Sequence, residues 1–174
     1  MTTAIETAKP RDSEGKTPTC GTVHTIGIAA VRFVRTPDKI RTVLGSCIGI
    51  VLYDLRARIG AMGHVILPSS LEGEGDPGKF ADTAVDELLR MLLAEGAERK
   101  RISAKIAGGA AMFGIESASA LGARNADAVR IRLDHHAIPL MGSAIGGDKG
   151  RRMILNPATG EVYVDVIGES TCTL

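Results

Sequence analysis

Two apolar runs with a short gap between them constrain this chain more than any other feature: 48–54 (IGIVLYD) and 59–67 (IGAMGHVIL), flanking Leu55-Arg56-Ala57-Arg58. Each run has the length of a buried strand, and the two read as a β-hairpin. With all four gap residues in the loop, Asp54 pairs with Ile59 and Cys47 comes to face Ile66. Side chains alternate with a period of two, so His64 then lies on the same side of the sheet as Cys47, at a diagonal ~7–8 Å away. One residue more or fewer in the loop would send the two to opposite faces.

The other elements follow from local pattern. Residues 22–34 (TVHTIGIAAVRFV) are rich in β-branched side chains and read as a first strand, stopped by a turn at Pro37-Asp38. Residues 69–78 (SSLEGEGDPG) form a loop. From 79 to 97 the period becomes helical: Phe80, Ala84, Val85, Leu88, Leu89, Leu92 and Leu93 share one face, with Asp86, Glu87 and Arg90 opposite. A short strand at 102–107 runs into Gly108-Gly109, and a second helix is expected from Asn125, as its cap, to His135. Three strands close the chain at 139–145, 152–156 and 161–167, the last two joined by Pro157-Ala158-Thr159-Gly160. The expected fold is α/β, a compact layered sandwich over 22–174 with mainly antiparallel strands and two principal helices. Residues 1–21, rich in Thr, Lys, Pro, Ser and Gly, read as a flexible leader with no apolar signal segment.

Composition narrows the class. Aromatics are 3% with no Trp, so the core must be aliphatic. The net charge is +1 with basic residues spread along the chain, which argues against nucleic acid or an anionic membrane as partner. No apolar run reaches the ~18 residues of a membrane span. Three cysteines, Cys20, Cys47 and Cys172, are an odd count with two near the chain ends. That disfavours a disulfide framework and points to a reducing cytoplasm.

Gly45-Ser46-Cys47 stands where one apolar segment stops and the next begins, with backbone amides at hand as oxyanion donors. A free Cys is more often a small buried hydrophobe, and a His inside an apolar strand more often a satisfied core residue. Given the even hairpin loop, a Cys47–His64 dyad becomes the better reading. His64 would draw the thiol proton, giving an ion pair whose thiolate attacks a carbonyl-type carbon. Gly146-Gly147-Asp148-Lys149-Gly150 lacks the spacing of a phosphate loop and precedes a strand, so it reads as a Gly-rich turn beside the site. His135-His136 reads as a helix-end or surface pair. Cys20 and His24 have no second ligand pair for zinc, and Cys172 reads as a bystander.

Several segments form an ordered set of motifs. They are Leu44-Gly45-Ser46-Cys47, Tyr53-Asp54, Gly63-His64-Val65-Ile66-Leu67-Pro68, Lys79-Phe80-Ala81-Asp82-Thr83-Ala84 and Lys105-Ile106-Ala107-Gly108-Gly109-Ala110-Ala111-Met112-Phe113. Gly122-Ala123-Arg124-Asn125, Ile138-Pro139, Gly146-Gly147-Asp148-Lys149-Gly150-Arg151-Arg152 and Asn156-Pro157-Ala158-Thr159-Gly160-Glu161 continue the set in chain order. Together these segments resemble the CheD family of chemoreceptor glutamine deamidases, and the resemblance implies an α/β sandwich with Cys47 as nucleophile and His64 as base. A third active-site residue is a Thr a few positions before the Cys, for which Thr42 is the candidate, and Ser46 is a second polar neighbour. It further implies cytoplasmic receptor helices as substrate, a CheC-type phosphatase as a possible partner, and no cofactor or metal. Two other readings stand beside it: a module that docks on receptors or on CheC with little catalysis, and a cysteine hydrolase acting on another acyl group.

Overall fold

The computed structural model describes residues 20–112 and 116–174, with the side chains of 116–119 left aside. The leader expected at 1–21 lies, but for its last two residues, outside the described residues. The hairpin is the centre of the molecule. Strand β4 (Ile48–Asp54) pairs antiparallel with β5 (Ile59–Val65), Asp54 opposite Ile59 and Gly49 opposite His64, so the loop is even. The ladder ends at Ile48–Val65, one pair short of Cys47.

Both strands are buried on both faces, which is why they read as unbroken apolar runs and not as alternating ones. Ile48, Ile50 and Leu52 face two helices, while Val51 faces a second sheet. The hairpin's own sheet has the order β2-β5-β4-β6-β7, with β2 (Val31–Arg35), β6 (Ser103–Gly108) and β7 (Leu140–Ile145). The second sheet has the order β1-β3-β8-β9-β10, with β1 (Val23–Thr25), β3 (Lys39–Leu44), β8 (Arg151–Asn156), β9 (Glu161–Val166) and β10 (Cys172–Thr173). Most pairs are antiparallel; β1 with β3 and β6 with β7 are parallel. The layers are therefore sheet, sheet, helices, with one apolar core in each gap. The α/β sandwich and its two helices are as expected.

Helix α1 (Ala81–Ala94) buries Ala84, Val85, Leu88, Leu89 and Leu92 of the expected face, while Leu93, expected with them, is exposed beside the helix end. Two larger expectations are also corrected. Residues 22–34 are not one strand: the chain breaks at 26–30, where Ala29 has φ 61°, and β1 and β2 enter different sheets. β-branched propensity favours extended backbone but cannot say which sheet it joins. Helix α2 (Glu116–His135) begins well before Asn125, so Asn125 is an interior, fully buried residue and not a cap. Gly122 disguised this, since glycine inside a helix is unfavourable by about 1 kcal/mol and reads as a break. Here it is needed: a Cβ at Gly122 would lie 2.7 Å from the Cα of Gly109.

Candidate active site

Thr42, Cys47 and His64 arrive from three places. On β3 the side chains of Ile40, Thr42 and Leu44 alternate inward, so Thr42 sits fully buried between the sheets. On β5 the same alternation turns Met62 and His64 toward Thr42's sheet, away from the helices. Cys47 stands on the link that carries the chain from β3 in one sheet to β4 in the other, half-buried against the inter-sheet core. Ser46 is also half-buried, and no hydrogen bond of its side chain occurs among the described residues.

The hydrogen bonds around His64 have a direction. Thr42 Oγ1 lies 3.0 Å from the Ile26 carbonyl oxygen and 2.8 Å from His64 Nδ1. A carbonyl only accepts, so the single hydroxyl proton of Thr42 goes to Ile26. The hydroxyl oxygen must then accept from Nδ1–H, which leaves Nε2 as the ring's lone-pair nitrogen. Nε2 is buried without a hydrogen-bond partner among the described residues. Burial pushes the imidazole below its ordinary pKa, which favours the neutral ring with its lone pair at that atom.

The link that carries Cys47 is held by its carbonyls. Gly109 N–H donates to Cys47 O at 2.9 Å and Ala110 N–H to Gly45 O at 2.9 Å. Gly108 makes this approach possible. Its φ is +120°, and a Cβ there would sit 2.1 Å from Cys47 O. These two bonds fix the course of the link on either side of Ser46. The thiol is pushed up by burial, and the residue's own backbone amide partly offsets this. At rest burial thus favours a neutral thiol and a neutral imidazole.

The remaining sequence candidates sort out as follows. Gly146 and Gly147 lie beside the Gly108–Ala111 segment: Gly146 N–H donates to Gly108 O and Ala111 N–H to Gly147 O, at 2.9 and 2.8 Å. His136 binds Asp86 at 2.6 Å, linking α2 to α1 together with Arg132. His24 pairs with Asp38 at 2.8 Å, and Cys20 and Cys172 are exposed. Among the described residues no cluster could hold a metal, and no helix is long and apolar enough to cross a membrane. Sequence reasoning missed the Ile26 carbonyl, which carries no side-chain signature.

Comparison with known proteins bears on this arrangement. A family described as CheD chemotactic sensory transduction matches residues 66–166, a span that begins two residues after His64. A protein of Clostridium botulinum strain Eklund 17B, named "Probable chemoreceptor glutamine deamidase CheD", is 40% identical over 149 residues, 82% of this chain and 92% of its own. Its namesake in strain Hall is 43% identical over 152 residues, 84% of this chain and 94% of its own. Among solved structures, a hypothetical protein YfiH of Bacillus licheniformis superposes with a TM-score of 0.39 at 14% identity, covering 75% of this chain and 60% of that one. A likeness that weak says nothing about the site. The extent and identity of the sequence matches are decisive on family: this chain belongs to the CheD family.

Proposed function

We propose that this protein is a protein-glutamine deamidase that converts selected glutamines on the cytoplasmic helices of methyl-accepting chemoreceptors to glutamates, and so tunes chemotaxis signalling from the cytoplasm. The names of its relatives support the substrate. The observation that carries the chemistry is the Thr42–His64 hydrogen bond, which leaves a buried lone pair at Nε2 on the inter-sheet side where Cys47 also lies.

In this reading the Cys47 sulfur attacks the glutamine carboxamide carbon as its proton passes to Nε2 of His64. The resting pair is neutral, so proton transfer accompanies attack and no standing thiolate is required. Backbone amides of the Gly45–Cys47 link receive the developing oxyanion. The imidazolium then gives its proton to the departing nitrogen, the C–N bond breaks, and ammonia leaves a thioester. A water deprotonated by His64 attacks that thioester, and the C–S bond breaks to return the thiol and release glutamate. The chemistry calls for no cofactor. The family resemblance adds a CheC-type phosphatase as a docking partner.

The test is to incubate receptor cytoplasmic fragments with wild type and with Cys47→Ala, measuring ammonia and amide-to-acid mass change. Release with wild type and none with the variant is expected. Equal release from both would remove Cys47 from the reaction, and peptide cleavage or cross-linking in its place would favour the broader cysteine-hydrolase reading.

A further inference from the structure

Arg151 is the one buried arginine among the described residues, with 6% of its surface exposed. It has no carboxylate within ion-pair distance there. Its guanidinium instead donates to a ring of backbone carbonyls: Nη1 to Ala144 at 2.8 Å, and Nη2 to Gly146 and, at 3.4 Å, to Lys149. Burial of an arginine without a counter-charge is costly, and its charge is nonetheless retained. Such a residue calls for a reason beyond filling space.

The reason lies in what those carbonyls belong to. Residues 144–149 line a hollow of about 320 Å³ together with Arg151, and of these only Ala144 and Ile145 also pack against the cores. Gly146 and Gly147 both have positive φ, so the backbone supplies little shape of its own. This loop hydrogen-bonds to Gly108 and Ala111, and the 109–110 amides in turn hold the carbonyls of Cys47 and Gly45. Arg151 also pairs through its backbone with Leu44, the last residue of β3 before the Cys47 link. Both ends of the arrangement therefore converge on the nucleophile.

We infer that Arg151 is a positioning residue for Cys47: its fork locks the 144–149 loop, which holds the 108–111 segment, which sets the carbonyls of the nucleophile link and so aims its amides. The role needs a planar, multi-donor cation. A lysine ammonium is a point charge that cannot reach several carbonyls at fixed angles. The inference rests on the deamidase reading for its activity assay, and on the thiol itself for an assay that does not need the substrate.

The experiment compares wild type with Arg151→Met, Arg151→Lys and the control Arg101→Ala, whose ion pair with Asp54 lies at the opposite end of β4 from Cys47. All are assayed well below their thermal midpoints. Arg151→Met is expected to lose roughly 10- to 100-fold in kcat, as for a catalytic group displaced by a fraction of an ångström to an ångström, with KM near wild type. Arg151→Lys should fall between, which also covers a Met variant that does not fold. Arg101→Ala should keep kcat. Independently, the pH midpoint for alkylation of Cys47 by iodoacetamide, read by peptide mass spectrometry, should move up in both Arg151 variants as the thiolate loses aligned amides. Wild-type kcat in Arg151→Met, full recovery in Arg151→Lys, a rise in KM alone, or equal loss in Arg101→Ala would each overturn the inference. If wild type releases no ammonia, the deamidase reading fails by itself and an unmoved alkylation midpoint still sinks the positioning role.

Discussion

The Thr42 hydroxyl accepts a hydrogen bond from His64 Nδ1–H at 2.8 Å and donates its own to the Ile26 carbonyl, so a residue of one sheet sets the tautomer of an imidazole on the other. Orientation and protonation state are thereby fixed before substrate arrives. The arrangement has the logic of a nucleophile, a base and a third group that orients the base.

Thr42→Val should therefore act on rate. Valine keeps the shape but leaves Nδ1–H and the Ile26 carbonyl unpaired. An unsatisfied buried polar group costs roughly 1–3 kcal/mol, which is about 5- to 150-fold if it falls on the transition state. kcat for ammonia release is expected to drop within that range. Thr42→Ser, which keeps the hydroxyl, should recover most of it. A Val variant as active as wild type would remove Thr42 from the mechanism.

The pH dependence carries a sign that can be checked. His64 is depressed by burial, so kcat/KM should hold down to a pH below the ordinary imidazole value of roughly 6.5 before falling. Cys47 is raised by burial, so its alkylation rate should climb only above the ordinary thiol value of roughly 8.5. Alkylation already maximal near neutral pH would indicate a standing ion pair. The unfolded chain protonates its histidine first as pH falls, so the folded state loses stability through the window from 6.5 downward.

Gly108→Ala tests the link between geometry and chemistry. A Cβ there would meet Cys47 O at 2.1 Å, at a φ of +120° that other residues rarely adopt. Activity is expected to fall by about 100-fold or more, with a lower thermal midpoint. Gly168→Ala supplies the comparison: φ is +79° and no atom lies within 4 Å of the added Cβ. It should lower the midpoint through backbone strain alone and leave kcat intact.

Asp54 makes the complementary prediction of stability without activity. Its side chain has no exposure, and it accepts from the amides of Ala57 and Glu98 and from Arg101. Burial pushes its pKa up, but these donors outweigh it and the net direction is down. Asp54→Ala leaves two amides unpaired and takes from Arg101 one of its two carboxylates, Glu98 remaining, so unfolding in urea should show a loss of roughly 1–3 kcal/mol. Its contribution is present above the ordinary carboxylate range and disappears as pH falls through the lowered folded value. kcat should not change.

Much of the fold was legible because it is local. The even loop at 55–58 sets the hairpin register, and with it the face on which His64 stands. The spacing of Ala84, Val85, Leu88, Leu89 and Leu92 places α1. Helix α2 was half hidden because Gly122, required by the approach to Gly109, imitates a helix break. The split of 22–34 was hidden because extended backbone carries no mark of the sheet it will join.

The sequence by itself determined a hairpin that puts His64 on the side of Cys47, and motifs in an order that resembles one family. Only the tertiary structure decided what surrounds them: Ile26 and Thr42 meeting His64 across the gap between sheets, and Arg151 gathering carbonyls that brace the segments around Cys47. Periodicity is a property of neighbours along the chain, so it carries register and face. Hydrogen bonds between groups sixteen to twenty-two residues apart depend on how two sheets stack, and no local pattern contains that.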